Sequence, residues 1–224
     1  MNKVNLNTIS LNSSSLNAIG EVKMGGASDG GGLDAIGVFI YDIDGKLTAP
    51  EDWDSANNNK AVGVYVGTDA HRFVIAKENV SSSWISWGGY KKTLESIPTL
   101  SNRSQATLDF DGQGNTTKII NELNGYTDSR GILGAPACEA CANYTFPNSR
   151  NGYLGSAGEW QMCLDNKTAI VEAMSKCGGV TITYNLWTST QHSDTNSWVC
   201  LWGDGYLNHL GRYSTYYVRA FLSV

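Results

Sequence analysis

Residues 181–224 read TITYNLWTSTQHSDTNSWVCLWGDGYLNHLGRYSTYYVRAFLSV, and this stretch decides the fold. It is rich in β-branched and aromatic residues, which favour strands. Its tryptophans are Trp187, Trp198 and Trp202. Residues 193–197 and 203–205 have the Ser, Asp, Asn and Gly composition of turns. The pattern predicts a strand, a loop, a strand, a tight turn, a strand, a loop and a terminal strand in the middle of a sheet.

The side chains between the tryptophans are typical of recognition surfaces. Tyr, Ser, Asn and His provide contact area and adaptable hydrogen bonds at a low cost in conformational entropy. The stretch therefore predicts a binding function.

Composition excludes one class of partner. Only 17% of the 224 residues are charged and the net charge is −5, whereas a nucleic-acid interface needs a basic face. Neither an export signal nor a membrane-spanning run is evident, so we expect synthesis in the cytoplasm and no membrane insertion. The five cysteines, an odd number, predict free thiols.

The chain divides at a glycine-rich joint. Residues 1–32 end in GGASDGGG and have too few apolar positions for a core of their own. This N-terminal arm is either a partly ordered tail or an oligomerisation or docking segment. Residues 33–224 form the second predicted domain.

The second domain is predicted to be α+β, with antiparallel sheets and two or three helices. Strands are expected at residues 33–41, 61–67 and 72–76, the last two forming a hairpin. Trp84 and Trp87 are expected to pack on the core from a loop. Apolar spacing and capping signals predict three helices, at residues 115–123 with Asn115 or Thr116 as the cap, 135–144, and 156–176 with Ser156 and Glu159 as a capping box.

No complete metal or catalytic motif is present in the sequence. Cys138 and Cys141 form a C-x-x-C pair without a partner pair, so we expect them to pack as small apolar residues. Asp109 and Asp111 resemble the opening of a calcium loop, but the closing bidentate Glu is missing, so a polar turn is favoured over calcium. The sequence predicts no cofactor, no metal and no enzymatic activity.

From residue 152 onward the chain resembles the variable proteins of diversity-generating retroelements. The residues that carry the resemblance are GYLGSAGEWQMCLDNKTAIVEAM, YNLWTSTQHSDTNSWVCLWGDGYLNHL and RYSTYYVRAFLSV. The resemblance implies a C-type lectin fold of the formylglycine-generating-enzyme-like branch, with long irregular ligand-binding loops. The calcium-dependent sugar-binding triplets of classical C-type lectins are absent, as is the active-site cysteine pair of the enzymes, so neither activity is carried over.

In that family, adenines of a template copy are mutated, so Asn codons diversify. They reach Tyr, His, Leu, Ser, Asp, Gly, Thr and Val, among others, but not Trp, Gln, Lys, Glu or Met. Within a variable region of about 181–217, this rule predicts the following contact positions: Tyr184, Asn185, Leu186, His192, Asp194, Asn196, Val199, Leu201, Tyr206, Asn208, His209, Leu210, Tyr213, Ser214, Thr215 and Tyr216. Val199, Leu201 and Leu210 are equally compatible with the core. The predicted structural frame is Trp160, Trp187, Trp198, Trp202 and Arg219. Each strand is expected to have one frame face and one contact face.

The resemblance implies a receptor-binding protein of a phage tail, assembled into the virion in the host cytoplasm. Its expected partner is a host-surface protein or glycan, and a homotrimer or docking to a larger tail assembly would raise avidity. The alternatives are a variable adhesin of the bacterial cell surface, a formylglycine-generating-type enzyme and a structural tail protein without a receptor.

Overall fold

The computed structural model describes residues 33–224 and places strands at both ends of this range, with helices between them. The predicted arm, residues 1–32, lies outside the described residues. The strands are β1 (Gly37–Asp42), β2 (Leu47–Thr48), β3 (Ala61–Gly67), β4 (Arg72–Ala76), β5 (Ile85–Ser86), β6 (Tyr153–Leu154), β7 (Leu186–Gln191), β8 (Asn196–Leu201), β9 (Tyr206–Gly211), β10 (Thr215–Tyr216) and β11 (Ala220–Ser223). The helices are α1 (Arg103–Ala106), α2 (Gly112–Leu123), α3 (Pro136–Asn143), α4 (Ala157–Asp165) and α5 (Lys167–Lys176). This is the α+β arrangement that the sequence predicts, but residues 33–224 contain five helices instead of the two or three expected.

The terminal strand lies inside the main sheet. Within the described range the six strands of this sheet run in the order β2, β1, β3, β4, β11, β6, and every pair is antiparallel. The hairpin of β3 and β4 has the predicted boundaries. A second sheet has the order β7, β8, β9, and β5 pairs with β10 in a short third one. The element order predicted for residues 181–224 is confirmed.

Both faces of the main sheet are covered. In β4, Phe73 and Ile75 belong to one apolar cluster with α4 and α5, and Val74 and Ala76 belong to another with α2 and α3. This follows from the two-residue period of a strand, which sends neighbouring side chains to opposite faces. Burial on both faces explains why β3 and β4 are continuous apolar runs.

Two helix predictions were wrong in detail. Helix α2 begins at Gly112 because the Asp111 carboxylate accepts a hydrogen bond from the Gly114 N–H and acts as the cap. The predicted helix 156–176 is two helices, α4 and α5, which meet at Asn166. The Asn166 amide donates to the Met162 carbonyl oxygen at 2.9 Å, a local bond that competes with helix continuation.

The predicted capping box of α4 is confirmed, and it is buried. The Glu159 carboxylate accepts hydrogen bonds from the Ser156 N–H at 2.6 Å and from the Tyr153 hydroxyl at 2.7 Å. Burial raises the pKa of Glu159 to about 7, although these hydrogen bonds oppose the shift. The carboxyl group therefore binds a proton more tightly in the folded chain than in the unfolded chain.

This raised pKa predicts a pH dependence of stability. Because the folded pKa of Glu159 exceeds its unfolded value, its contribution is fully present below about pH 4.5 and is lost as the pH rises through about 7. Glu159→Gln should remove up to roughly 1 kcal/mol per pH unit of this decline between pH 5 and 7. The measurement is the urea midpoint at several pH values. Glu172→Gln, on the exposed side of α5, should keep the wild-type slope, and an unchanged slope in Glu159→Gln would contradict the assignment.

Candidate binding surface

Most of the predicted contact positions are accessible. Tyr184, Tyr206 and Tyr213 are 49%, 38% and 45% exposed. The other accessible positions are Asn185, His192, Asp194, Asn196, Asn208, His209, Leu210, Ser214, Thr215 and Tyr216. These side chains give the C-terminal region a polar and aromatic surface.

Three predicted contact positions are corrected by the structure. Leu186, Val199 and Leu201 are buried in the core, so a ligand at the surface does not touch their side chains. Both faces of β8 are covered, because Trp198 belongs to one apolar cluster and Val199 to the other. The prediction of one frame face and one contact face is therefore wrong for β8, and the accessible side chains lie mainly on β9 and in the loops.

Hydrogen bonds from indole N–H groups connect the second sheet to residues 85–100, which precede α1. Trp187 Nε1 donates to the Ile85 carbonyl oxygen at 2.8 Å, and Trp198 Nε1 donates to that of Leu100 at 2.7 Å. In the opposite direction, Trp87 Nε1 donates to the Thr188 carbonyl oxygen at 2.8 Å. All five residues predicted as frame are buried: Trp160, Trp187, Trp198, Trp202 and Arg219.

A buried arginine joins the loops beneath the surface. Arg212 is fully buried and donates to the carbonyl oxygens of Gly89, Lys92 and Ser193. It also donates to Gln191 Oε1 at 2.6 Å, and its guanidinium lies 4.3 Å from the centre of the Trp87 ring. Burial lowers the pKa of Arg212 to about 10, yet the group stays charged at neutral pH.

Gln191, which accepts a hydrogen bond from Arg212, makes further side-chain hydrogen bonds to residues 94 and 99. Its Oε1 accepts from the Leu94 N–H, and its Nε2 donates to the Leu94 carbonyl oxygen and to the Thr99 hydroxyl. With Arg212, it joins residues 89–99 to residues 191–196 by side-chain bonds, in addition to the backbone bridge between Thr99 and Gln191. The loops thus have a defined shape that does not depend on their exposed side chains.

A histidine pair is formed by His192, in the loop that follows β7, and His209 of β9. The rings of His192 and His209 are stacked with their centres 3.7 Å apart, and Trp198 packs edge-on against both. The Asn196 amide lies 3.1 Å from His209 Nδ1. Burial, and then the proximity of His209, lower the pKa of His192 and favour its neutral form. It can contribute hydrogen bonds and ring faces to a ligand.

A cationic aromatic cluster surrounds Tyr213. Its ring meets that of Tyr90 edge-on with centres 5.0 Å apart, and the Arg130 guanidinium lies 4.5 Å from the Tyr213 ring centre and 5.2 Å from that of Tyr90. Lys91 adds a charge 5.9 Å from the Tyr90 ring centre. We call Tyr90, Arg130 and Tyr213 the arginine cluster.

A second aromatic cluster surrounds Tyr184. Its ring stacks on Tyr217 at 4.4 Å, and Trp84 meets Tyr217 edge-on at 6.2 Å. Trp87 is fully buried as predicted, but Trp84 is 61% exposed, so the prediction that its ring packs on the core was wrong. Trp84 lies just before β5, where its ring remains on the solvent side. We call Trp84, Tyr184 and Tyr217 the tryptophan cluster.

The cysteines and the turn predicted at Asp109 and Asp111 belong to neither cluster. Cys138 and Cys141 are fully buried against the core, as expected for small apolar residues, and burial raises the pKa of both thiols. The Asp109 carboxylate accepts hydrogen bonds from Asn115 Nδ2 and the Thr190 hydroxyl, as in a polar turn. Across residues 33–224 no group of three or more His, Cys, Asp or Glu side chains is placed to hold a metal ion.

Sequence reasoning missed several residues of this surface. Tyr90, Arg130, Tyr217 and the exposure of Trp84 were not predicted, and Arg212 was not assigned to the frame. The serines before Trp84 were the one available signal, because a tryptophan in such a polar run has few apolar neighbours in sequence. The role of Arg212 depends on contacts with distant residues and leaves no local pattern.

Comparison with known proteins yields a likeness of fold. No protein-family model and no curated protein matches the chain. A solved fimbrial protein from Bacteroides ovatus is similar in structure, with a TM-score of 0.57 over 85% of this chain and 13% sequence identity. The chain spans about half, 49%, of the length of that protein. Within the described range, no helix has the length and apolar character needed to cross a bilayer.

Proposed function

We propose that this protein is a non-enzymatic binding protein whose C-terminal surface recognises a protein or glycan on a cell surface. The observation that carries the proposal is the separation of two sets of residues. Buried tryptophans and Arg212 fix the loops, whereas the side chains of Tyr184, Tyr213 and Asp194 are exposed to solvent. Such a surface can change its side chains without losing its shape.

The finer proposal is a C-type lectin fold diversified by a retroelement. Support comes from the resemblance of residues 152–224 to that family, and from the exposure of most positions that mutated Asn codons can reach. Trp187, Trp198, Trp202 and Gln191, which such codons do not reach, are buried. This is the distribution expected when mutation is confined to the surface of a fixed frame.

Two locations fit this proposal. In a phage tail, the protein would bind the receptor that sets host tropism, either as a homotrimer or docked to a larger assembly. On a bacterial surface it would be a variable adhesin, and the structural likeness to a protein named as fimbrial favours this second location. The same exposed surface would contact the ligand in either setting.

A thiol-dependent enzyme is the least supported alternative. All five cysteines are buried, and burial raises the pKa of each thiol. Oxidation chemistry of the formylglycine-generating type needs thiols that reach the substrate. The arrangement supports a binding role instead.

Sequencing the locus and its flanks tests the diversification. We expect a near-copy of the 3′ end of the gene beside a reverse transcriptase gene, with differences only where the copy has adenine. These differences should fall on exposed positions such as Tyr184 and Tyr213 and spare the codons of Trp187 and Trp198. The absence of a copy, together with identical loops in sibling isolates, would reduce the function to binding of fixed specificity or to a structural role.

A further inference from the structure

The arginine cluster is built like a receptor for an anion. The Arg130 side chain is exposed, yet two tyrosine rings hold its guanidinium plane, an arrangement stabilised by cation–π attraction. Among residues 33–224, no carboxylate lies within 4.0 Å of it and no acceptor is hydrogen-bonded to it. A positioned guanidinium with free donors matches the two oxygens of a carboxylate.

The neighbouring carboxylate that could neutralise Arg130 has another role. Asp128 is buried, and its oxygens accept hydrogen bonds from the backbone N–H groups of Tyr90, Arg130 and Ile132 at 2.8 to 3.1 Å. Asp128 thereby joins the loop that carries Arg130 to the loop that carries Tyr90. It is a positioning residue for the cluster, and the guanidinium is left for an external partner.

The loop of Tyr90 is itself fixed from below. Arg212 binds the carbonyl oxygens of Gly89 and Lys92, on either side of Tyr90 and Lys91. Lys91 has a left-handed backbone with φ 68°, and its N–H donates to the Asp194 carbonyl oxygen at 2.8 Å. The cluster is therefore organised before a ligand arrives, which lowers the entropic cost of binding.

We propose that the arginine cluster binds the carboxylate of an acidic sugar, a hexuronate unit of an oligosaccharide. This deepens the binding function proposed above and rests on it. The Arg130 guanidinium donates hydrogen bonds to the carboxylate, and the exposed ring of Tyr213 packs against the C–H face of the sugar. Lys91 adds a second positive charge. Arg130 and Tyr90 lie outside the predicted variable region, so a fixed carboxylate anchor stands beside positions that vary.

The shape of the surface favours a sugar over an acidic peptide. Because β5 pairs with β10, residues 84–90 lie beside residues 212–217. The tryptophan cluster lies at one end of this pair of segments and the arginine cluster at the other. Six residues of chain separate the ends by at most roughly 20 Å, the span of a short oligosaccharide. Two cavities of about 230 and 260 Å³ are lined by residues 42–60 and 164–169, not by this surface. The exposed rings of Trp84 and Tyr213 suit contact with the C–H faces of sugar rings, whereas peptide side chains bind best in pockets.

Calorimetric titration with three oligosaccharides tests the proposal. The probes are a galacturonic acid tetramer, its methyl ester and a neutral galactose tetramer. We expect the acid to bind at least about tenfold more tightly than either neutral probe, because charged hydrogen bonds are the stronger ones. Arg130→Ala and Tyr213→Ala should each weaken the acid at least about tenfold, and Arg130→Lys should also weaken it because an ammonium lacks the planar fork.

Controls separate this result from misfolding and from the broader proposal. Arg150→Lys changes an exposed arginine that is hydrogen-bonded to Ser223 of β11, and it should leave affinity unchanged. The urea midpoints of the Arg130 variants should match the wild type. The uronate assignment would be overturned if the acid and its ester bound equally, or if the acid did not bind. It would also be overturned if an oligoglutamate peptide bound more tightly than the acid and this binding depended on Arg130. A template copy found at the locus would leave the diversified binding function standing in all three cases.

Discussion

Arg212→Ala is expected to lower the free energy of unfolding by roughly 3–5 kcal/mol, among the largest effects of any single substitution in this chain. The substitution removes the donors that serve the carbonyl oxygens of Lys92 and Ser193 and the side chain of Gln191. The half-buried carbonyl oxygens of Lys92 and Ser193 lose this donor, and an acceptor left without a partner costs about 1–3 kcal/mol, whereas Gln191 Oε1 keeps the Leu94 N–H. The cation–π contact with Trp87 is lost as well. Urea denaturation of the wild type and the variant measures the difference.

The comparison with two other variants isolates the cause. Arg212→Lys keeps the charge, but a single ammonium does not reach acceptors on both loops, so most of the loss should remain. Arg130→Ala removes an exposed arginine of similar size and should change stability by no more than about 0.5 kcal/mol. Amide exchange should accelerate at residues 89–94 and 193–196 in the Arg212 variants. Wild-type stability in Arg212→Ala would show that the loops are held by other contacts.

Much of the fold was predictable because its signals are local. Two continuous apolar runs separated by turn residues indicated the hairpin of β3 and β4, and the Ser156 and Glu159 pair marked the start of α4. The break at Asn166 was missed because the apolar spacing continues across it, and only the side-chain bond to Met162 shows why the helix ends. Local pattern predicts which elements exist, but specific side-chain bonds set where they end.

The candidate site was predictable only in part. Codon reach identified Tyr184 and Tyr213 as surface positions, and both are exposed. Their surroundings include residues from distant segments, since Tyr90 meets Tyr213 edge-on and Trp84 meets Tyr217, the residue on which Tyr184 stacks. Codon reach also includes Leu and Val, which fill the core of β8 as readily as a surface. Residue type alone does not distinguish these two places, because burial is decided by the packing of the whole domain.

Trp187→Ala is expected to lower the free energy of unfolding by about 3–5 kcal/mol, the usual cost of a cavity left by a buried aromatic ring. The Trp187 ring is fully buried, packs edge-on against Tyr216 at 5.0 Å, and bonds the Ile85 carbonyl oxygen across 102 residues of sequence. Trp187→Phe keeps most of the apolar contact but leaves that carbonyl oxygen unpaired, so it should cost about 1–3 kcal/mol. The urea midpoints of the wild type, Trp187→Phe and Trp187→Ala should decrease in that order.

The matched substitution on the surface should behave differently. Tyr184→Ala removes a ring that is 49% exposed and stacks on Tyr217, so we expect a loss of no more than about 1 kcal/mol. A protein that diversifies its surface needs this contrast, since each new loop sequence must fold on the same frame. If Tyr184→Ala were as costly as Trp187→Phe, exposed and buried residues would share the folding energy. The positions reached by mutated Asn codons would then not be free to vary.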